Sequence, residues 1–159
     1  MRRTLLALAL VLAAAAAGIA HADEAASAVL DGKVKTALHL TAADLGRMPH
    51  VTRKVSFLTD HGTQTATYTG VLLWTLVGKA GIDDPDKKWP ALRHVVAVTG
   101  KDGYVVLYSL GEMEPEFGNV PIMLAYAKDG APLADLRIVA PGDKHGARDV
   151  RDVVRIEVR

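Results

Sequence analysis

The 159-residue sequence contains no cysteine. Disulfide bonds, thiolate-ligated metal sites and thiol nucleophiles are therefore excluded. Aromatic residues are scarce, at 5%, and 19 Lys and Arg nearly balance 18 Asp and Glu. Because the chain has no excess of positive charge to attract phosphate backbones, we expect neither nucleic acid nor an anionic membrane surface as a partner.

The first 22 residues have the pattern of a secretory signal peptide. Arg2 and Arg3 precede an uncharged Leu/Ala run, which ends in the sequence AHA at residues 20–22. An A-x-A sequence after such a run is typical of a cleavage site. We therefore expect residues 1–22 to be removed and residues 23–159 to form one domain in the periplasm. The two arginines leave the twin-arginine export route open as an alternative to the general one.

Local patterns predict three short helices. Thr41 and Asp44 have capping-box spacing, which predicts a helix that ends before Pro49. Apolar residues recur at helical spacing in LLWTLVGKA, residues 72–80, and the next residue, Gly81, predicts a C-terminal cap. Ser109, with a glutamate three residues later, predicts a second capping box and a third helix.

Alternation with period two predicts several short strands joined by Gly- and Asp-rich turns. Residues 51–59 and 63–69 should form a hairpin across the sequence DHG, with the threonines of the second strand on one face. Further strands are predicted within 94–110, 120–127, 136–140 and 153–158. Short strands with a few short helices indicate an α+β or mainly β class. Trp74 and Phe117 are expected in the core.

The histidines do not indicate a metal site built from protein ligands. Zinc and iron sites need convergent ligands, such as an i, i+4 pair on one helix. No such pairing or carboxylate-spaced cluster is present among the histidines that follow the predicted signal peptide, which are His39, His50, His61, His94 and His145.

The sequence PGDKHGARD, residues 141–149, allows two interpretations. Gly142 and Gly146 could let backbone amides approach a ligand closely, while Lys144 and His145 face an anion. Alternatively, the two aspartates of this segment pair with its lysine and arginine in a structural network. The residues alone favour neither interpretation.

Two further residues are candidates to contact a ligand. Tyr104 follows a glycine turn and is the aromatic residue best placed to line a pocket. Glu112 could accept two N–H donors from a heterocyclic ligand, although the acidic segment EMEPEF also fits a solvated helix face.

Four stretches together resemble the oxidoreductase molybdopterin-binding domain of the sulfite-oxidase family. They are YTGVLLWTLVGKAGI, DGYVVLYSL, PIMLAYAKDGAPL and LRIVAPGDKHGARDVRDVVRIEV, and the resemblance covers roughly residues 34–158. It implies an α+β, mainly β fold with a mixed, twisted, barrel-like sheet, short helices and a ligand cleft where the loops meet.

In that family a Pro-Gly loop that ends in Gly-x-Arg helps to hold the pyranopterin and its phosphate. Pro141, Gly142, Gly146 and Arg148 match that loop. With the other candidates, the predicted pterin-binding residues are Asp102, Tyr104, Glu112, Gly142, Lys144, His145, Gly146 and Arg148.

The sequence departs from the enzymes of that family at the metal. Those enzymes bind molybdenum through a cysteine after an early strand, and the matching region here, VSFLTDHGTQ at residues 55–64, has none. We therefore expect a pterin as cofactor and no metal, and no redox chemistry from this chain alone.

The resemblance extends to small exported, cysteine-less proteins of this fold. It implies a module that binds a reduced pterin and reports it to a membrane-bound signalling enzyme that makes or degrades cyclic di-GMP. The alternative is a periplasmic molybdopterin-dependent oxidoreductase, or a subunit of one. A third possibility is an interaction domain without a small ligand.

Overall fold

The computed structural model describes residues 26–84 and 88–159. The predicted signal peptide, residues 1–22, lies outside them. None of the helices in the described part of the chain is long and apolar enough to cross a membrane.

Nine strands and three short α-helices make up the described fold. The strands are β1 (Ser27–Gly32), β2 (Leu38–Thr41), β3 (Val51–Thr59), β4 (Gly62–Leu72), β5 (Val95–Gly100), β6 (Val105–Ser109), β7 (Met123–Lys128), β8 (Ala131–Val139) and β9 (Val153–Val158). The helices are α1 (Ala42–Gly46), α2 (Leu73–Ala80) and α3 (Leu110–Met113), and single 3₁₀ turns lie at Pro90–Arg93 and Gly146–Arg148.

The strands form two sheets. The first has the order β2-β1-β9-β5-β6, in which β1 and β9 are parallel and the other neighbours antiparallel. The second has the order β3-β4-β7-β8 and is antiparallel throughout. The expected mainly β class with short helices is therefore confirmed. The described strands stay in two open, twisted sheets rather than closing into a barrel.

The two predicted capping boxes have different outcomes. The Thr41 hydroxyl accepts a hydrogen bond from the amide of Asp44 at 3.1 Å, and the Asp44 carboxylate accepts one from the Thr41 amide at 3.1 Å. The box at Ser109 is wrong, because the Ser109 side chain caps no amide. Glu112 instead accepts a hydrogen bond from the Arg148 guanidinium at 3.1 Å.

The predicted hairpin is confirmed as β3 and β4, which pair from Val51 with Gly70 to Thr59 with Gly62. Its exposed face carries the expected threonines, which form cross-strand hydroxyl pairs with β3. Its other face contributes to a small apolar cluster that lies outside the main core. That cluster consists of Val55, Phe57, Ala66, Tyr68, Met123, Ala125 and Val139.

The main core joins the two sheets. It combines residues from both sheets with the buried faces of α2 and α3, for example Leu30, Leu76, Leu124 and Ile156. Trp74 packs against this core as expected. The second sheet thus has one face on the main core and the other on the small cluster, and this second face carries the candidate site.

Gly70 permits the close contact between β4 and β7. A Cβ at this position would lie 2.4 Å from the Leu124 carbonyl oxygen and 2.7 Å from the Ala125 Cα, at a register shift in the β4–β7 pairing. Because the neighbouring atoms are backbone, they cannot rotate away from an added methyl group.

Substitution of Gly70 by Ala should therefore lower the free energy of unfolding by about 1–3 kcal/mol, as expected for overpacking. The matched control is Gly78→Ala, because Gly78 lies in α2 with nothing within 4 Å of its Cβ position. That change should stabilise the protein by about 0.5–1 kcal/mol. Chemical denaturation of both variants checks the pair, and equal effects would contradict the assigned contact.

Candidate functional site

The loop between β8 and β9, residues 140–152, covers one end of the β3–β4 hairpin. The Leu58 amide donates a hydrogen bond to the Lys144 carbonyl at 2.8 Å, and Leu58 forms an isolated parallel bridge with His145. Gly146 lies directly on Phe57, where a Cβ would be 2.7 Å from the ring Cδ2. The missing side chain of Gly146 therefore allows the loop to pack onto the small apolar cluster.

Arg148 fastens this loop to α3. Its Nε and Nη2 atoms donate to the two carboxylate oxygens of Asp143 at 2.7 and 3.1 Å, and Nη1 donates to Glu112 at 3.1 Å. Its guanidinium carbon lies 5.3 Å from the Tyr108 ring centroid. These bonds, that to Asp143 above all, raise the pKa of Arg148 above its ordinary value. The arginine is committed to the loop's own carboxylate and to α3.

Two tyrosines hold the loop backbone. The Tyr104 hydroxyl donates to the Ala147 carbonyl at 2.8 Å, and the buried Tyr108 hydroxyl donates to the Arg148 carbonyl. Burial raises the pKa of Tyr108, so its hydroxyl stays protonated and remains a donor. The Asp102 side chain accepts a hydrogen bond from the Tyr104 amide at 2.9 Å and fixes the turn that presents Tyr104.

Asp149 and Arg137 meet beneath the loop. Asp149 is 7% exposed, and its Oδ1 accepts a hydrogen bond from the Ala140 amide at 2.9 Å. Its Oδ2 lies 3.6 Å from Arg137 Nη2, which is an ion pair without a hydrogen bond. Two buried atoms here have no hydrogen-bond partner in the described part of the chain. They are Asp149 Oδ2 and Arg137 Nε. Burial raises the pKa of Asp149, against the opposing effects of the Ala140 amide and Arg137.

Aromatic rings fix the position of Arg137. Its guanidinium carbon lies 5.5 Å from the centroid of the Tyr68 ring and 5.8 Å from that of Phe57. Such cation–π contacts stabilise a desolvated arginine. The guanidinium is thus held in place by neighbours that leave one of its donors without a partner.

Three adjoining clefts lie around Arg137 and Arg151, with volumes of about 470, 360 and 290 Å³. Arg151 lines all three, and Arg137 lines the two larger ones. We call the combined surface the cationic cleft. Its lining also includes Phe57, Thr59, Asp60, His61, Tyr68, Lys128 and His145, together with Asp102, Tyr104, Gly146 and Asp149 at the smallest of the three.

The structure brings together only some of the residues predicted from the sequence. His145 and Gly146 line the largest part of the cationic cleft, and Asp102 and Tyr104 line its smallest part with Gly146. The remaining four predicted residues do not line these three parts among the described residues. Arg148 and Glu112 are bonded to each other, whereas Gly142 and Lys144 lie on the exposed outer side of the loop.

Sequence reasoning missed Arg137 and Arg151. Arg137 lies between Leu136 and Ile138 in β8, and both of these neighbours are buried in the main core. Since side chains of a strand alternate between its faces, this period alone places Arg137 on the opposite face. No comparable local signal marks Arg151, which reaches the site through the path of the loop.

The chain belongs to the oxidoreductase molybdopterin-binding domain family, whose sequence profile matches residues 19–159. Among solved structures, 30 chains are significantly similar. One is the crystal structure of the sulfane dehydrogenase SoxCD from Paracoccus pantotrophus, with 20% identity and a TM-score of 0.66. The match covers 84% of this chain and 38% of that one, so it establishes the fold alone. No curated protein sequence matches significantly.

A molybdopterin cofactor fits this site in its organic part. Arg137 and Arg151 supply donors suited to a phosphate, and the glycine-containing loop allows close backbone approach. The region that matches the metal-binding cysteine of the enzymes, residues 55–64, contributes Phe57, Leu58, Thr59, Asp60, His61 and Gln64 to the cleft. None is a thiolate, and the described residues contain no group of three His, Asp or Glu able to hold a metal. That this chain binds no metal stays a prediction.

Burial of Asp149 should make folding stability depend on pH. Because the folded pKa is raised above its ordinary value of 3.8, the protonated side chain is favoured by folding. This contribution is fully present below that ordinary value and is lost as the pH rises through the folded pKa.

The free energy of unfolding of the wild type, minus that of Asp149→Asn, should therefore fall as the pH rises from below 3.8 towards neutral. Urea denaturation across this range measures it, with Asp60→Asn as the control for loss of an exposed carboxylate. A difference that rises with pH would show that the pairing with Arg137 outweighs desolvation.

Proposed function

We propose that this domain binds a pterin in the cationic cleft, either a free reduced pterin or the organic part of a molybdopterin-type cofactor. The observation that supports this most directly is the guanidinium of Arg137. Its Nε is buried without a hydrogen-bond partner in the described part of the chain, and the side chain lines the two larger parts of the cleft. A buried donor without a partner costs free energy. The same guanidinium side chain is 15% exposed where it lines the cleft, so it can also donate to an acceptor on a ligand.

The remaining groups suit the two ends of such a ligand. Asp60 lines the largest part of the cleft and has the two-oxygen geometry that accepts the amino and amide N–H donors of a pterin ring. Arg151 supplies positive charge for a phosphate or another anionic tail. In this proposal Asp60 takes the role that the sequence assigned to Glu112, whose carboxylate is bonded to Arg148.

The proposal concerns binding and does not assign redox chemistry to this chain. When molybdenum is bound in enzymes of this family, it supplies the oxygen-transfer chemistry. The residues here bind and orient the organic ligand through Arg137, Arg151 and the loop backbone. We also propose that the domain is exported to the periplasm and reports its ligand to a membrane-bound partner, such as an enzyme of cyclic di-GMP metabolism.

Calorimetry under anaerobic conditions with tetrahydrobiopterin and with a phosphorylated pterin tests this binding. Arg151→Ala should weaken the affinity by about tenfold or more, because one charge-assisted hydrogen bond contributes about 1.5–3 kcal/mol. Arg155→Ala is the matched control, since Arg155 pairs with Asp31 on the other sheet. Arg148→Ala should also lower the melting temperature, because Arg148 fastens the loop to α3.

Two results would contradict the proposal. One is the absence of binding by the folded wild-type protein to either compound. The other is an Arg151→Ala variant that binds as tightly as Arg155→Ala, because the cationic cleft would then not be the site.

A second candidate function is that of a molybdopterin-dependent oxidoreductase, or of a subunit of one. Family membership and the likeness to a sulfane dehydrogenase favour it. In that case a second chain or the substrate would have to provide groups that this chain lacks, because its cleft contains no thiolate.

Metal analysis separates the two functions. Protein produced in a host that makes molybdopterin should contain substoichiometric molybdenum if the chain binds only the organic ligand. One molybdenum per chain in the wild type and in Arg155→Ala, but none in Arg151→Ala, would favour the oxidoreductase. This result would overturn the proposal that the chain binds only the organic ligand.

A further inference from the structure

Exposed apolar residues concentrate around β6. Of the eight large apolar residues that are exposed in the described part of the chain, six lie on β6 or in segments next to it. Leu107, at the centre of the strand, is 56% exposed. Exposed apolar residues that are grouped in this way commonly mark a protein interface. The six residues are Trp89, Leu92, Tyr104, Val105, Leu107 and Phe117.

The strand β6 also forms an open edge of the five-stranded sheet. At its two ends, the Gly100 amide bonds to the Tyr104 carbonyl and the Leu110 amide bonds to the His94 carbonyl. In an antiparallel ladder the intervening residues alternate, so the even-numbered residues bond to β5. The backbone groups of Val105, Leu107 and Ser109 therefore point away from the sheet and are available to another strand.

Among the four edge strands of the two sheets, β6 has the least protection against pairing. Edge strands are usually shielded by charged side chains, proline or very short length. The edge strand β3 contains Arg53 and Lys54, β8 contains Pro132 and charged residues, and β2 has only four residues. The sequence of β6, VVLYS, contains neither a charge nor a proline. Such an edge is expected to be covered by another strand.

An aromatic pair extends the apolar surface past the end of β6. Trp89 and Phe117 make an edge-to-face contact with 5.3 Å between ring centroids. Phe117 is 46% exposed, so its expected place in the core is wrong. Trp89 has φ = 56°, a left-handed conformation that is costly for a bulky residue. Tryptophan is enriched among the residues that contribute most to protein–protein binding.

We propose that β6 pairs with β6 of a second copy of this chain, antiparallel about a two-fold axis at Leu107. This pairing would join the two five-stranded sheets into one of ten strands. It places Leu107 opposite Leu107 of the other copy and Val105 opposite Ser109, so the apolar strand meets itself without a buried charge. Two-fold dimers of this isologous kind are the most frequent oligomers.

Charges at the two ends of the strand support this orientation. Lys101 is exposed in the turn before β6, and Glu116 is exposed in the segment after α3. The Asp102 carboxylate in the same turn accepts a hydrogen bond from the Tyr104 amide and keeps its negative charge, so this end is close to neutral. Antiparallel pairing brings the near-neutral end of one copy to the glutamate end of the other, whereas parallel pairing would place the two glutamate ends together. The charge distribution therefore favours the two-fold arrangement.

The dimer can be tested with a single introduced cysteine, because the chain contains none. Directly opposed residues of a hydrogen-bonded antiparallel pair have Cα atoms about 5.5 Å apart. That spacing lies within the range of about 4.4–6.8 Å that a disulfide bond requires. Leu107→Cys should therefore give a covalent dimer on mild oxidation, whereas Val154→Cys, at an exposed position on the central strand β9, should not.

Sedimentation equilibrium gives the complementary measurement. The wild type and Val154→Glu should be dimeric, whereas Leu107→Glu should be a folded monomer by circular dichroism. A wild-type protein that stays monomeric up to its solubility limit would overturn the proposal. The partner of β6 would then be a strand of a different protein. Equal crosslinking of the two cysteine variants would also overturn it. Both measurements are made without pterin, so their failure would not bear on the proposed pterin binding.

Discussion

The carboxylate of Asp149 is buried beneath the β8–β9 loop, where it bonds to the Ala140 amide and faces the Arg137 guanidinium at 3.6 Å. The bond to Ala140 closes the loop at its start, nine residues before Asp149. The pairing with Arg137 places a cation on the floor of the cleft, between two aromatic rings. Loop conformation and cleft charge thus depend on the same carboxylate. Its desolvation is offset only in part, because Oδ2 has no hydrogen bond among the described residues.

Charged residues of the loop divide into two groups with different tasks. Asp143 and Arg148 bond to each other and, through Glu112, to α3. His145 and Arg151 line the cleft instead. Of the two interpretations that the sequence left open, the structural network is present between Asp143 and Arg148, whereas Asp149 pairs with Arg137 and the contact of this loop with a ligand stays a prediction. Arg148, which matches the family's pterin-holding loop, fastens the loop here, while Arg137 and Arg151 supply the positive charge at the cleft.

Local patterns in the sequence were sufficient for most strands and for the first capping box, because Thr41 and Asp44 need only each other. The same spacing failed at Ser109, since Arg148, which is 36 residues from Glu112, binds the carboxylate that the box requires. The cationic cleft could not be assembled from local patterns either. Phe57, Arg137 and Arg151 come from two strands and a loop, and only the path of the chain brings them together. Tyr104 does line the smallest part of the cleft, next to a glycine turn that is a local feature of the sequence.

Tyr104 connects the two surfaces on which the proposals rest. Its hydroxyl holds the Ala147 carbonyl of the loop, and its ring lies at the start of β6, where it is 49% exposed. In a two-fold pairing of β6, this residue would lie near the end of the partner's strand. A ligand that moves the loop at Ala147 would then change the hydrogen bond of a side chain at the dimer edge. Binding in the cleft would be coupled to pairing at β6 only through a ligand that changes this bond, and such coupling acts equally in both directions.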